Sequence, residues 1–438
     1  MKILLFSHRT PYPPHKGNQI RPFHVLTSLV ARGHEVHLLA FADGAEELQT
    51  QTRLEEYCAS ATLIPLHRFA SNLKALLSLP TNTPPSVAYF NSAALRREVK
   101  RLVATHGIEA MVVYSSTMCQ YVPPAFRPHT VVDMADADSE KWLDYAQEKW
   151  PPLSWIYNLE GHRLRRYEYW IVRNFGYSSL HTQREINVLR ELTAEEQKKL
   201  IPITNGVDLE KFRPAAFPAF APEAVPENER KFFTDAAAPR IVFTGAMDYY
   251  PNAEACIWFA NAIFPTIRAT FPTAQFLIVG SKPTPQVVAL NQLPGVVVTG
   301  FVNDVRPYLA AAKVCVIPLR IARGVQNKAL EAMASGRAVI ATPDVITGVG
   351  ATAPDHLLLA RNEQEFAEAV QQVLRDDALR LRLEAAARAF VERECSWQPL
   401  MDRFASLVEE VGRSHQPRIN ANLHDLAFSK QIGSKHEG

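Results

Sequence analysis

Lys328 and Glu331 stand three residues apart in the segment Pro318-Leu319-Arg320-Ile321-Ala322-Arg323-Gly324-Val325-Gln326-Asn327-Lys328-Ala329-Leu330-Glu331. The apolar run Val314 to Pro318 reads as a strand, Arg323 and Gly324 as a polar loop, and Gln326 to Ser335 as a helix. Residues three apart share a helix face, so the lysine and glutamate would stand together near its N-terminus. Free amides and the helix dipole suit an anion there, and a lysine adds formal charge. A glutamate one turn on can accept hydrogen bonds from vicinal ribose hydroxyls. A surface ion pair on a capped helix satisfies the same spacing.

A second set lies in the N-terminal half. The loop Ser7 to Gln19 follows an apolar strand and carries Gly17 just before a helix start, which suits a phosphate or a sugar oxygen and equally an ordinary turn. It lacks the GxGxxG pattern of nicotinamide-type sites. Asp133, Asp136 and Asp138 follow another strand. Asp138 to Glu140 fits a helix N-cap, and paired carboxylates can also bind a metal or act as a base. Asp133 and Asp136 are the better candidates for contacting sugar hydroxyls. The fourteen histidines give no metal site by spacing, since His34 and His37 bracket a strand and point to opposite faces. Arg96, Arg97, Lys100 and Arg101 share one expected helix. Arg163, Arg165, Arg166 and Arg173 share another with Tyr167, Tyr169 and Trp170, after Trp142, Trp150 and Trp155. Such helices can dock on anionic lipid or be solvated with their aromatics in the core.

Positioning these groups requires short buried strands separated by helices, the pattern of a parallel α/β sheet. Strands are expected at Ile3–Phe6, Glu35–Phe41, Ala110–Tyr114, Thr130–Asp133 and Ser178–Thr182, with a helix at Pro22–Ala31. A second series has strands at Arg240–Thr244, Gln275–Val279, Val296–Thr299, Val314–Pro318, Ala338–Thr342 and His356–Leu359. Its helices are expected at Ala253–Thr270, Asp304–Ala312 and Gln326–Ser335, with more from Glu363 to Gly412. Between the series fall Pro202, Pro214, Pro218, Pro222 and Pro226, a hinge signal. The expected division is a domain at 1–200, a linker at 201–239, a second domain at 240–385, returning helices at 386–412 and a disordered tail at 413–438. The 438 residues suit two doubly wound domains facing across a cleft, with ligands at the strand C-terminal ends.

Composition narrows the function. Forty-seven Lys and Arg against 45 Asp and Glu leave a net charge of only +2, which argues against a nucleic-acid partner. Five scattered cysteines offer no disulfide framework or metal-ligand spacing and fit a reducing compartment. No signal peptide or spanning segment is expected, so the chain reads as cytoplasmic or bound to a membrane from that side.

The segment ending Glu331-Ala332-Met333-Ala334-Ser335-Gly336 resembles the nucleotide-sugar signature of glycosyltransferase family 4, enzymes of the GT-B fold. Further matches fall in the family's order: Leu29 to Val36, Asn205-Gly206-Val207-Asp208, Phe243-Thr244-Gly245, Val298 to Val302, and Ser396-Trp397. Together they cover roughly residues 1 to 412. The segments Val131 to Trp142, Thr244 to Tyr249 and Gly324 to Lys328 resemble sugar transferases of bacterial exopolysaccharide loci, including exosortase-associated ones.

The resemblance implies a retaining transferase that moves a sugar from a nucleoside diphosphate donor to a growing glycan, polyprenyl-linked and approached at the inner face of the plasma membrane. The donor is a substrate, and neither cofactor nor metal is expected. Implied donor-binding residues are Gly17, Gly245, Lys282, Phe301, Val302, Gly324, Gln326, Lys328, Leu330 and Glu331, with Asp133, Asp136, Arg323 and Lys328 catalytic. The diphosphate is expected between Gly17 and the helix near Gln326. Two departures stand out. The family's first glutamate is Arg323 here, which cannot accept sugar hydrogen bonds. It would supply phosphate charge or meet a donor carboxylate. The histidine that many relatives carry near Asp136 has no counterpart, which leaves that contact unassigned. A nucleotide-sugar epimerase of the same fold, or a silent scaffold of a polysaccharide assembly complex, are the competing readings.

Overall fold

The computed structural model describes residues 1–15, 17–214, 227, 230, 232, 237–322 and 324–414. Contacts divide the chain into one unit of Met1–Ile203 with the chain from Gln398, and another of Thr204–Trp397.

The first unit is built on a seven-stranded parallel sheet. Its strands are β1 (Lys2–Ser7), β2 (Glu35–Ala42), β3 (Ser60–Pro65), β4 (Ala110–Tyr114), β5 (Thr130–Ala135), β6 (Tyr177–Leu180) and β7 (Leu200–Pro202), in the order β3-β2-β1-β4-β5-β6-β7. The central strands are apolar throughout because helices cover both faces, as Leu4, Leu5 and Phe6 with no exposed surface illustrate. The helices that matter below are α1 (Gly17–Ala31), α2 (Arg68–Leu77), α3 (Ala93–His106), α4 (Asp138–Glu148) and α5 (Leu153–Asn174). The sequence pattern omits β3 and β7. The first is an edge strand with only alternate residues buried, and the second is three residues ending in a proline that reads as linker.

The second unit has a six-stranded parallel sheet of β8 (Arg240–Thr244), β9 (Gln275–Val279), β10 (Val296–Gly300), β11 (Val314–Ile317), β12 (Val339–Ala341) and β13 (Leu358–Leu359), ordered β10-β9-β8-β11-β12-β13. The helix expected at Ala253–Thr270 is three pieces: α6 (Tyr250–Trp258), a π-helical turn at Phe259–Ile263, and a helix at Phe264–Thr270. Pro265 lacks an amide proton and would crowd the carbonyl of Asn261, so the ladder widens there. The signature segment forms α7 (Asn327–Ala334).

Helix α8 (Asp377–Glu394) buries Leu383, Ala387, Phe390 and Val391 in the second unit's core. The chain therefore joins the first unit at Gln398, twelve residues later than expected, within α9 (Trp397–Arg413). There α9 packs on the sheet's lower edge, where a Cβ on Gly412 would sit 2.6 Å from Met1 Sδ. The hinge prolines 218, 222 and 226, and the tail from 415, lie outside the described residues.

Two motifs far apart in sequence meet in the second unit. The Val207 amide donates to Cys395 O at 2.8 Å, and Val207 bridges Ser396 as a parallel pair. A Cβ on Gly206 would lie 2.5 Å from the Trp397 ring, which explains a glycine at this step. Gly206→Ala should cost about 1–3 kcal/mol in urea unfolding through overpacking. In Trp397→Ala the same change should cost less, because the clash is gone; additive costs would refute the contact.

Candidate active site

In a doubly wound sheet the ligand edge lies beyond the strand C-termini, where neighbouring connections diverge. The first unit reverses its strand order beside β1 and β4, and the second beside β8 and β11. Among the described residues, three non-glycine residues with left-handed backbone lie just after strands or at their ends: Ser115 (φ 80°), Ala135 (φ 65°) and Lys282 (φ 55°). Such conformations cost on the order of 1–3 kcal/mol each and concentrate at functional edges.

At the first unit's edge the two aspartates part company. Asp133 is fully buried, receives Arg21 Nε at 2.6 Å and Ser179 Oγ at 3.0 Å, and so ties α1 to β5 and β6. It has no surface for a sugar, which corrects its assignment as a catalytic contact. The positive φ at Ala135 shifts the β5–β6 register and turns Asp136 outward. The Asp136 carboxylate remains 40% exposed, with Oδ1 2.8 Å from His181 Nδ1. Burial opposes its ionisation, but the charge and hydrogen bond of His181 outweigh this and hold it below the ordinary carboxylate range. His181 comes from the end of β6, 45 residues away. The neighbourhood thus has the histidine that local sequence lacks. His8, in the loop after β1, is a second one, stacked on Tyr114 and driven to about 4 by burial and by Arg9.

Asp138 is not a cap. Ala137 occupies the cap position of α4, and its amide is taken by Glu185 Oε2 at 2.6 Å, while Glu168 Oε1 takes the Ser139 amide at 3.0 Å. Gly17 is exposed at the first position of α1, and Lys16 before it lies outside the described residues. The expected basic helix is largely structural. Arg163 is buried and donates to Ser78 O and Leu79 O, and Arg165 binds Ser139 Oγ at 2.7 Å and pairs with Glu140.

In the second unit Lys328 and Glu331 lie on the first turns of α7, both half-buried. Lys328 Nζ donates to Asn252 Oδ1 at 2.5 Å and stands 4.9 Å from the Phe243 ring centroid. Asn252, on α6, anchors itself by donating to Ala246 O at 2.8 Å. Gly245 lies under this pair, because a Cβ there would be 2.7 Å from Asn252 Nδ2 and 3.4 Å from Lys328 Cε. Gly280 is equally required, since its Cβ would fall 1.8 Å from Gly245 O. Burial lowers Lys328 to about 8 and raises Glu331 to about 7. Burial disfavours the charged form of both groups, a feature that clusters at functional sites.

The other expected donor residues divide by side chain. Gln326 is the cap residue of α7, Gly324 precedes it with φ 62°, and Phe301 is 72% exposed. Lys282 is exposed and pairs with Asp248 at 3.4 Å. The side chains of Leu330 and Val302 are buried in the core, so neither offers a side-chain contact. Arg323 lies outside the described residues. Sequence reasoning missed Asn252 and Gly280 in the second unit and His181 in the first. Of these, only Gly280, at the end of an apolar strand, has a local sequence signal.

The Arg21–Asp133 pair makes a direct prediction. Arg21→Met should cost about 3–5 kcal/mol in chemical denaturation, since it strands a buried carboxylate. Arg21→Met with Asp133→Asn should recover part of that loss.

Residues 238–376 match the family of glycosyl transferases group 1. A segment of 228 residues is 28% identical to a GDP-mannose-dependent monoacylated alpha-(1-6)-phosphatidylinositol monomannoside mannosyltransferase from Corynebacterium glutamicum, covering 48% of this chain. The match spans 56% of that relative's own length. Among solved structures, sucrose-phosphate synthase from Thermosynechococcus elongatus aligns with a TM-score of 0.66 at 18% identity, covering 94% of this chain and all of that one. WaaG, a glycosyltransferase involved in lipopolysaccharide biosynthesis, aligns at 0.64 and 15%, covering 93% and 99%. Anabaena HepE in complex with UDP aligns at 0.63 and 13%, covering 94% and 100%. Residues 238–376 thus match a group 1 glycosyl transferase domain, in a chain with the two-unit α/β architecture of the GT-B fold.

Proposed function

We propose that the chain transfers a glycosyl group from a nucleoside diphosphate sugar to a glycan acceptor, with retention of anomeric configuration. The observation that carries this is the half-buried Lys328 bonded to Asn252 over Gly245, one helical turn from Glu331 at the start of α7. Lys328 and the α7 amides take the diphosphate, the Gly245 backbone allows close approach, and Glu331 accepts the ribose hydroxyls. Charge builds on the departing diphosphate, so a fixed cation in a partly dry site favours the transition state. A leaving phosphate oxygen then helps deprotonate the acceptor. Asp136, oriented by His181, is the exposed carboxylate for a sugar hydroxyl in the first unit. Arg323 adds phosphate charge, and transfer proceeds without a metal.

The acceptor is a growing lipid-linked glycan, as in exopolysaccharide assembly, reached from the inner face of the plasma membrane. The mannosyltransferase relative supports a lipid acceptor, since its name specifies a phosphatidylinositol mannoside. Among the described residues no helix is long and apolar enough to cross a membrane. Instead α2 exposes Phe69 (85%), Leu73, Leu76 and Leu77 at helical spacing, beside Arg68 and Lys74. Arg163 fastens the end of this helix to α5, whose first turn exposes Trp155 and before which Trp150 is also exposed. Apolar and aromatic residues flanked by cations match a lipid interface better than the buried arginines do. Phe69→Ser with Leu76→Ser should abolish flotation with anionic vesicles while leaving nucleotide binding intact. A wild-type chain that ignores such vesicles at low salt would make the acceptor soluble.

Two measurements test the donor site. Glu331→Ala should weaken nucleoside diphosphate binding by about 1.5–3 kcal/mol, the range for a charged hydrogen bond, in calorimetry on folded protein. An unchanged dissociation constant would remove the ribose assignment. Affinity for the diphosphate should also fall as pH rises through about 8, where free Lys328 loses its proton. Binding restores that proton, so complex formation should take up protons in this range. Lys328→Met should bind weakly and without this slope.

A further inference from the structure

The edge of the first sheet opposite the strand C-termini holds a cluster that plays no part in the reading above. Glu35 and His37 begin β2, two residues apart and therefore on one face of the strand. His106 ends α3 beside them, its ring centroid 4.2 Å from that of His37. One ligand atom from each of the three residues lies within 4.8 Å of the other two. The sequence could not show this, because 69 residues separate the histidines. His34, expected to point away from His37, meets Glu409 at 3.1 Å.

His37 is the anchor. It is 2% exposed, and its Nδ1 is 2.8 Å from Ser60 Oγ on the neighbouring strand, in register with it. Its other nitrogen, Nε2, is buried and lies 3.2 Å from Glu35 Oε1. A ring held through one nitrogen by a hydroxyl, with the other nitrogen pointing at a carboxylate and a second imidazole, has the form of a metal-ligating histidine with its orienting partner. Lys2 Nζ, 3.8 Å from Glu35 Oε2, is the competing cation, and it is exposed enough to swing away.

We propose that Glu35, His37 and His106 bind one divalent transition-metal ion, with zinc the best match. Two imidazoles and a carboxylate suit zinc over magnesium or calcium, which prefer all-oxygen sites. Zinc ligands at about 2.0–2.2 Å from the ion stand about 3.4 Å apart around a tetrahedron, close to the His37–Glu35 separation. His106 and the exposed Glu35 carboxylate need only small adjustments, and water completes the shell. The ion links the start of β2 to the end of α3 and lies at the edge away from the strand ends that hold Asp136, so its role is structural.

The test uses tag-free full-length protein, loaded with zinc chloride and dialysed against a weak chelator. Elemental analysis should find one zinc per chain and no retained magnesium. Competition with a chromophoric chelator should show His106→Gln and Glu35→Gln weakened by at least about 100-fold, and Ser60→Ala by about 10-fold. Cobalt substitution should give tetrahedral nitrogen and oxygen bands without thiolate charge transfer. These variants change partly exposed or small groups, and equal melting temperatures in chelator would confirm that they fold. No retained zinc in the wild type, or unchanged affinity in folded His106→Gln, would overturn the proposal. Zinc binding and its loss should leave nucleoside diphosphate affinity unchanged, which separates this outcome from failure of the transferase reading.

Discussion

Strands buried on both faces have no room for polar chemistry, and this constraint arranges everything else in the chain. Side chains that act on a ligand can stand only where strands end and the backbone changes direction. That change requires residues able to take unusual conformations or close approaches. Ala135 turns the chain so that Asp133 faces inward to Arg21 while Asp136 faces outward to His181. Gly245 and Gly280 let two loops touch where a single added carbon would fall 1.8 Å from a carbonyl oxygen. The same rule separates two aspartates that look equivalent in sequence into a structural strut and a candidate ligand.

Burying charge at these edges has consequences for stability. Burial pushes Glu168 up to about 8, against its hydrogen bonds from Ser139. Its folded pKa lies above the unfolded value, so the folded state binds more protons between about 4.5 and 8. Stability from this group is therefore present at low pH and lost as pH rises across that window. Lys328 has the opposite sign. Its folded value of about 8 lies below the unfolded 10.5, so the folded state binds fewer protons there. Stability rises with pH between those values, while anion binding by the same lysine weakens. A ligand phosphate resolves the conflict by pairing the ammonium.

The sequence made the two sheets legible because each central strand is an uninterrupted apolar run, and Arg240–Thr244 and Gln275–Val279 form as expected. It made β3 and β7 illegible because edge strands are only partly buried and a proline there reads as linker. The signature helix was readable for the same reason: Lys328 and Glu331 are local neighbours. Leu330 and Val302 misled because a motif position does not say which way a side chain points, and both point into the core. Asn252 was invisible because its role comes from packing 76 residues away from Lys328. His181 reached Asp136 in the same way, through adjacent parallel strands.

Parallel strands also create a second edge that motifs describe poorly. Every connection that leaves a strand C-terminus must return to an N-terminus, so helix ends such as that of α3 collect at the opposite side of the sheet. Side chains brought together there are distant in sequence and shared by no reaction. They are free to differ between relatives whose ligand edges remain alike. Glu35, His37 and His106 belong to that edge, with Ser60 behind them on the neighbouring strand. The ligand edge is constrained by chemistry, and this one only by packing. A single chain can therefore acquire a new site on the second without disturbing the first.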